Sequence, residues 1–158
     1  MYAEDAALRF CRHLPKLELH AHLNGSIRPE TLRSLAEAKG MSHLLAPLNA
    51  VAAKGNCCSL EECFMLFGII HQLTTDFGTI SAIASQVVLD FAEDNVVYLE
   101  LRTSPKSREG MTKELYVKAV LDGIDHALGQ LQLQQQKGSN GTVSSTSNGT
   151  SGFNGTSR

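Results

Sequence analysis

His20-Ala21-His22 stands near the end of the apolar run Leu17–Leu23. Residues two apart on a strand share a face, so both imidazoles point the same way, along with Glu18 and Asn24. The run closes in Asn24-Gly25-Ser26, a turn signal, which sets the pair where a strand opens into a loop. Two neutral imidazoles converging there make half of a first-row metal site, zinc foremost. An arbitrary His-x-His specifies little. This one lies in an otherwise apolar strand, which implies burial on both sides. A buried face bearing Glu18, His20, His22 and Asn24 is costly unless those groups satisfy one another or bind something.

The elements that must carry this pair follow from periodicity and punctuation. A short helix is expected over 3–13, ending before Pro15, and a strand over 17–23. Pro29 suits the first turn of the next helix and Gly40 its C-terminal cap, with Leu32, Leu35 and Ala36 on one apolar face. Residues 41–58 lack clear periodicity and read as a loop with short helical turns. Ser59-Leu60-Glu61-Glu62 has the form of a capping box. The helix it starts carries Leu60, Phe64, Phe67 and His71 in one continuous stripe, with Cys63 expected in the core. A further helix from about Ile80 to Glu93 turns Ile83, Val87, Val88 and Phe91 inward, and Asn95 suits a left-handed C-terminal position. Val96–Arg102 is the second strand, opening into Thr103-Ser104-Pro105-Lys106. Thr112 caps a helix to about Leu128, with Tyr116, Val120 and Ile124 on one face beside Ala119, Gly123 and Ala127.

Strands separated by helices imply parallel pairing in an α/β sheet. Ligand chemistry in such folds collects at the C-terminal ends of strands, where both polar clusters lie. After Leu128 the composition turns to Gln, Gly, Ser, Asn and Thr. The expected division is therefore a barrel-type portion, 1–128, and a low-complexity, disordered tail, 129–158.

With 42% hydrophobic residues, 19% charged residues and a formal net charge of −2, the composition is that of a soluble globular protein. Near-neutral charge gives no reason to expect a nucleic-acid or membrane partner. No apolar stretch approaches the ~18 residues of a membrane span. The first residues are acidic and lack the basic and apolar regions of a secretory signal, so the expected setting is the cytosol. Cys11, Cys57, Cys58 and Cys63 form no Cys-x-x-Cys pair and are expected as free thiols. The sequons at Asn24, Asn140, Asn148 and Asn154 are then expected to stay bare.

The segment Leu14-Pro15-Lys16-Leu17-Glu18-Leu19-His20-Ala21-His22-Leu23-Asn24-Gly25-Ser26 resembles the opening of the metal-dependent adenosine/AMP deaminase superfamily. Three later segments match in order: Ser59–Phe64, Ile70-His71-Gln72-Leu73 and Tyr98–Pro105. Together they resemble the N6-methyl-AMP deaminase branch over about residues 10–128. The resemblance implies a (β/α)₈ barrel with one zinc ion per complete subunit, held in part by His20 and His22. It implies a purine nucleoside monophosphate substrate met by His22, Asn24, His71, Thr103, Ser104, Pro105 and Lys106, and a monomer when complete. The chemistry implied is hydrolytic deamination at C6, with zinc lowering the pKa of a bound water toward 7.

Asn24 helps choose the branch, because classical adenosine deaminases carry Asp there. A carboxylate accepts from a free 5′-hydroxyl but repels a 5′-phosphate, whereas an amide is neutral and can donate. Lys106 and Arg108 supply positive charge nearby in sequence. Adenosine deaminase proper is the competing reading. Each residue also has a plainer role available: His71 as a core histidine, Thr103 and Ser104 as loop caps, Lys106 and Arg108 as solvated charge.

The family's third zinc-binding His, proton-donor Glu, second catalytic His and zinc-binding Asp would all lie after the third strand. No catalytic residue is therefore expected within these 158 residues. A complete barrel needs about 250 residues. The expectation is an incomplete barrel, inactive and poorly folded alone, or a non-catalytic product that acts by binding a partner.

Overall fold

A computed structural model of the chain describes residues 6–55 and 59–140. The elements are α1 (Ala6–His13), β1 (Lys16–His22), α2 (Pro29–Ala38), α3 (Leu45–Ala52), α4 (Leu60–Leu73), α5 (Phe77–Glu93), β2 (Val96–Arg102) and α6 (Lys113–Asn140), with short 3₁₀ turns at Leu23–Gly25 and Ser42–Leu44. Among the described residues the two strands form one parallel sheet. Its register sets Lys16 opposite Val96 and His22 opposite Arg102. The two strands therefore end together, and the loops after them, 23–25 and 103–106, emerge side by side.

Local chemistry explains most boundaries. Pro29 occupies the first turn of α2. The helix closes in a Schellman arrangement: Met41 N–H donates to Ala36 O at 2.8 Å, Gly40 N–H donates to Glu37 O at 3.0 Å, and Gly40 has φ +66°. The capping box at Ser59 is formed in both directions, at 3.2 Å and 2.9 Å. Asn95 takes φ +60° between α5 and β2, and its amide donates to His13 O at 2.6 Å. Thr112 accepts from Leu115 N–H at 3.1 Å and starts α6.

Two packed clusters hold the helices. One gathers Leu23, Ile80, Ile83, Met111, Tyr116 and Val120 between β1's end, α5 and α6. The other joins Leu32, Leu44, Leu48, Ile70 and Leu73 from α2, α3 and α4. Helices α5 and α6 approach so closely that a Cβ on Gly123 would lie 2.2 Å from Ser81 O.

The structure departs from the sequence reading in several places. Residues 45–52 are helical rather than loop. Leu44, Leu48 and Val51 are buried at i, i+4 and i+7, and Pro47 falls in the first turn, where its missing N–H costs nothing. Helix α5 starts at Phe77 rather than near Ile80, because Asp76 caps it through Thr79 N–H at 2.8 Å. Helix α6 does not stop near Leu128 but continues to Asn140. Gln, Leu and Lys are good helix formers, and no proline interrupts a helix already nucleated. Residues 141–158 of the expected disordered tail lie outside the described residues.

Strand β1 is not buried on both sides. Leu17 and Leu19 are 66% and 56% exposed, and His20 and His22 are exposed as well. The strand's principal neighbour is β2, so both faces remain open over most of its length. On α4 the stripe Leu60, Phe64 and Phe67 faces outward, and Ile69, Ile70 and Leu73 form the buried face. Cys63 is half-buried rather than core, and it and the exposed Cys11 are free thiols. Cys57 and Cys58 lie outside the described residues.

Candidate functional site

The two histidines leave the same face of β1, and their rings meet. His20 Nε2 and His22 Nε2 are 3.1 Å apart, with ring centroids separated by 5.0 Å and planes tilted by 36°. Two nitrogens on one tetrahedral zinc, each at about 2.05 Å, would stand about 3.3 Å apart. The observed spacing therefore suits a shared metal, and both imidazoles are reachable from solvent. Glu18 points elsewhere: its Oε1 accepts from His20 N–H at 2.8 Å and so satisfies the strand's own backbone. Among the described residues no group of three or more His, Cys, Asp or Glu side chains gathers to hold a metal.

Beside the pair opens a cleft of about 190 Å³ lined by His22, Asn24, Phe67, His71, Arg102, Thr103, Ser104 and Lys106. Asn24 is carried by the 3₁₀ turn that follows β1. Ser26 holds that turn, its hydroxyl donating to His22 O at 2.8 Å. His71 comes from the last turn of α4, and Thr103, Ser104 and Lys106 from the loop after β2. The parallel register brings these three sources together at one end of the sheet. Pro105 is half-buried and is not among the lining residues.

Lys106 Nζ donates to His71 Nε2 at 2.9 Å. This bond assigns the ring proton to Nδ1. Burial holds the His71 imidazole below its ordinary pKa, and the positive charges of Lys106 and Arg108 add to the effect. His71 is thus a neutral acceptor in a cationic neighbourhood. Arg108 joins Asn24, His71, Ser104 and Lys106 around a smaller recess, whose wall also includes Thr74, Met111 and Tyr116. Arg102 reaches back to Leu19 O and to Glu100 Oε2, each at 3.3 Å.

The sequence pattern had placed His20, His22, Asn24, His71, Thr103, Ser104 and Lys106 at a site, and they come together. It had not assigned Phe67, Arg102, Thr74 or Tyr116. Phe67 was discoverable, since it stands one helical turn before His71 and any helix that turns one into the cleft turns the other. Arg102 ends β2 as His22 ends β1. Tyr116 gave no signal.

The two parallel strands thus end in one place, with two convergent imidazoles beside a polar cleft, the arrangement of an α/β fold that collects its chemistry at the C-terminal ends of its strands. The adenosine deaminase family model matches residues 15–136, and the chain belongs to that family. It is 50% identical over 121 residues to the N6-mAMP deaminase of Arabidopsis thaliana, covering 74% of this chain and 34% of that protein. The apo structure of N6-methyl-AMP deaminase from Arabidopsis thaliana superposes with a TM-score of 0.65 at 48% identity, over 74% of this chain and 35% of that one. A crystal structure of Arabidopsis ADAL complexed with IMP gives a TM-score of 0.63 at 48% identity, over the same share of each chain. The described fold is thus part of the family's TIM-type barrel. The chain spans about a third of the length of the relatives it matches.

Proposed function

We propose that this chain carries the metal-binding strand and nucleotide cleft of a zinc-dependent hydrolytic deaminase of N6-substituted purine nucleoside 5′-monophosphates. In the overall reaction, water adds at C6 of the purine, the C6–N6 bond breaks, and N6-methyl-AMP yields IMP and methylamine. The carrying observation is the pair of imidazoles 3.1 Å apart beside a cleft bordered by Lys106, Arg102 and the neutral Asn24. A phosphate is favoured by the two cationic side chains and meets no carboxylate among the cleft's lining residues. The names of the relatives and the IMP complex support the same substrate class.

Zinc, held in part by His20 and His22, would supply an activated water at neutral pH. Two imidazoles are fewer than the three protein ligands a catalytic zinc takes. We assign the third ligand and the proton-transferring groups to the length of the relatives that this chain does not span. Asn24 and Lys106 bind the nucleotide in this scheme, and His71, being neutral, orients Lys106 and accepts rather than repels.

A chimera tests the substrate class. Residues 1–136 of this chain replace the matching part of the Arabidopsis deaminase, and the product is assayed with N6-methyl-AMP, AMP and adenosine. Preferential deamination of N6-methyl-AMP is expected. A preference for adenosine overturns the assignment in favour of an adenosine deaminase. Exposed Leu17, Leu19, Val97 and Tyr98 on the sheet favour a second reading, a non-catalytic chain that binds a partner. An inactive but folded chimera would select it.

A further inference from the structure

We infer that Tyr116 is a positioning residue for the cleft. Its buried hydroxyl fixes Thr103 and, through the loop that Thr103 begins, sets Lys106 against His71. The inference takes the identity of the cleft's occupant from the reading above, while the anchor itself rests on geometry alone.

The Tyr116 ring is 6% exposed and packs in the cluster with Leu23, Ile80 and Met111. A tyrosine hydroxyl buried that deeply requires a partner. Its partner is the Thr103 hydroxyl, 2.7 Å away, on the first residue after β2. Thr103 itself lines the cleft with His22 and Lys106. The far end of the same loop is pinned as well. Arg108 and Met111 exchange backbone hydrogen bonds of 2.8 Å and 3.0 Å around Gly110, which has φ +74°. Met111 is buried in the same cluster as Tyr116.

The loop is therefore fastened at both ends to one core, and Lys106 stands between the fastenings. Without the Tyr116 hydroxyl, Thr103 is free to change rotamer and the near fastening is lost. Phenylalanine in its place keeps the ring and the packing. The effect should then appear at His71 and Lys106, not in the core.

The test uses the whole 158-residue chain with Tyr116→Phe, Thr103→Val and the double variant. The first readout is the long-range ¹H–¹⁵N spectrum of the His71 ring, which reports the tautomer and whether Nε2 is hydrogen-bonded. Lys106→Met supplies the reference for a ring without its partner. The second readout is IMP affinity, and the third is thermal unfolding. Tyr116→Phe should move the His71 signals toward the Lys106→Met reference and weaken IMP about threefold to tenfold, as the loss of one hydrogen bond implies. Thr103→Val should do the same, and the double variant should do no more than either.

His71 signals that coincide with wild type in both single variants would overturn the inference and leave Tyr116 a purely structural residue. Additive shifts in the double variant would overturn it too. Should Tyr116→Phe fail to fold, Thr103→Val decides alone, because it leaves the ring in place. Absence of IMP binding to the wild-type chain would count against the nucleotide reading, while the His71 spectrum still decides the role of Tyr116.

Discussion

Lys106 Nζ sits 2.9 Å from His71 Nε2 and ties the loop after β2 to the end of α4. Two cations at that distance would repel, so the contact requires a neutral imidazole. Burial, then Lys106, then Arg108 each push the ring toward that state. The cleft thereby keeps an ammonium pointed at its interior without placing a carboxylate there to compete for it.

His71 should titrate below the ordinary imidazole value of 6.5. Between the depressed midpoint and 6.5 the unfolded chain binds a proton that the folded chain does not. Stability should therefore fall as pH drops through that window and level off below it. Following the His71 Hε1 resonance gives the midpoint directly. Lys106→Met should raise it only partway, because burial is the larger cause. A wild-type midpoint at or above 6.5 would contradict the arrangement.

Gly123 and Gly129 lie on the same helix and should respond oppositely to alanine. A Cβ on Gly123 meets Ser81 O at 2.2 Å and Ala84 Cβ at 2.8 Å, whereas one on Gly129 meets nothing within 4 Å. The clash involves backbone of α5, which cannot swing aside, so Gly123→Ala should destabilise by about 1–3 kcal/mol. That outweighs the gain in helix propensity of up to about 1 kcal/mol, which Gly129→Ala should show on its own. Chemical denaturation of the two variants measures both. Equal shifts would mean that α5 and α6 are not in the close contact described.

Asp76 should set the acid limit of this portion of the fold. Partial burial pushes its carboxyl up, but bonds from Lys39, Thr79 N–H and the Thr79 hydroxyl outweigh it and hold the group down to about 2. A depressed carboxyl contributes stability that is fully present above the ordinary value of 3.8 and is lost as pH falls from there to about 2. Asp76→Ala should cost about 1 kcal/mol near neutral pH through loss of the α5 cap and should flatten the acid transition. A variant whose acid unfolding follows wild type would remove Asp76 from that role.

The site was legible wherever one element's period or one short motif decided it. His20, His22 and Asn24 follow from strand alternation and a turn signal, and His71 from a match to the family pattern. The Schellman close at Gly40 and the capping box at Ser59 are local too, and both formed. What escaped was tertiary. Leu17 and Leu19 read as buried because an apolar strand is ordinarily covered, yet covering depends on neighbouring elements. Phe64 and Phe67 share a helical period with His71, but a period fixes which residues lie together, not which way they face. Helix α6 beyond Leu128 shows composition misleading in another way: Gln-rich sequence adds little core yet propagates a helix well. Tyr116 could not be linked to Thr103: Thr103 lies in a matched segment, Tyr116 lies in none, and their contact exists only after folding.

Zinc provides the sharpest test of the histidine pair. His20 and His22 share a face of β1, with their Nε2 atoms 3.1 Å apart, close to the spacing of two ligands on one ion. Both imidazoles must be unprotonated to bind, so uptake should weaken on acidification. Added zinc should shift the His20 and His22 ring resonances together and leave those of His13 unchanged. His20→Ala should abolish the response at His22, and His22→Ala the response at His20. The affinity should be modest, because two ligands leave the coordination shell largely to water. Independent zinc responses of the two rings, each surviving loss of the other, would show two separate surface histidines rather than one site.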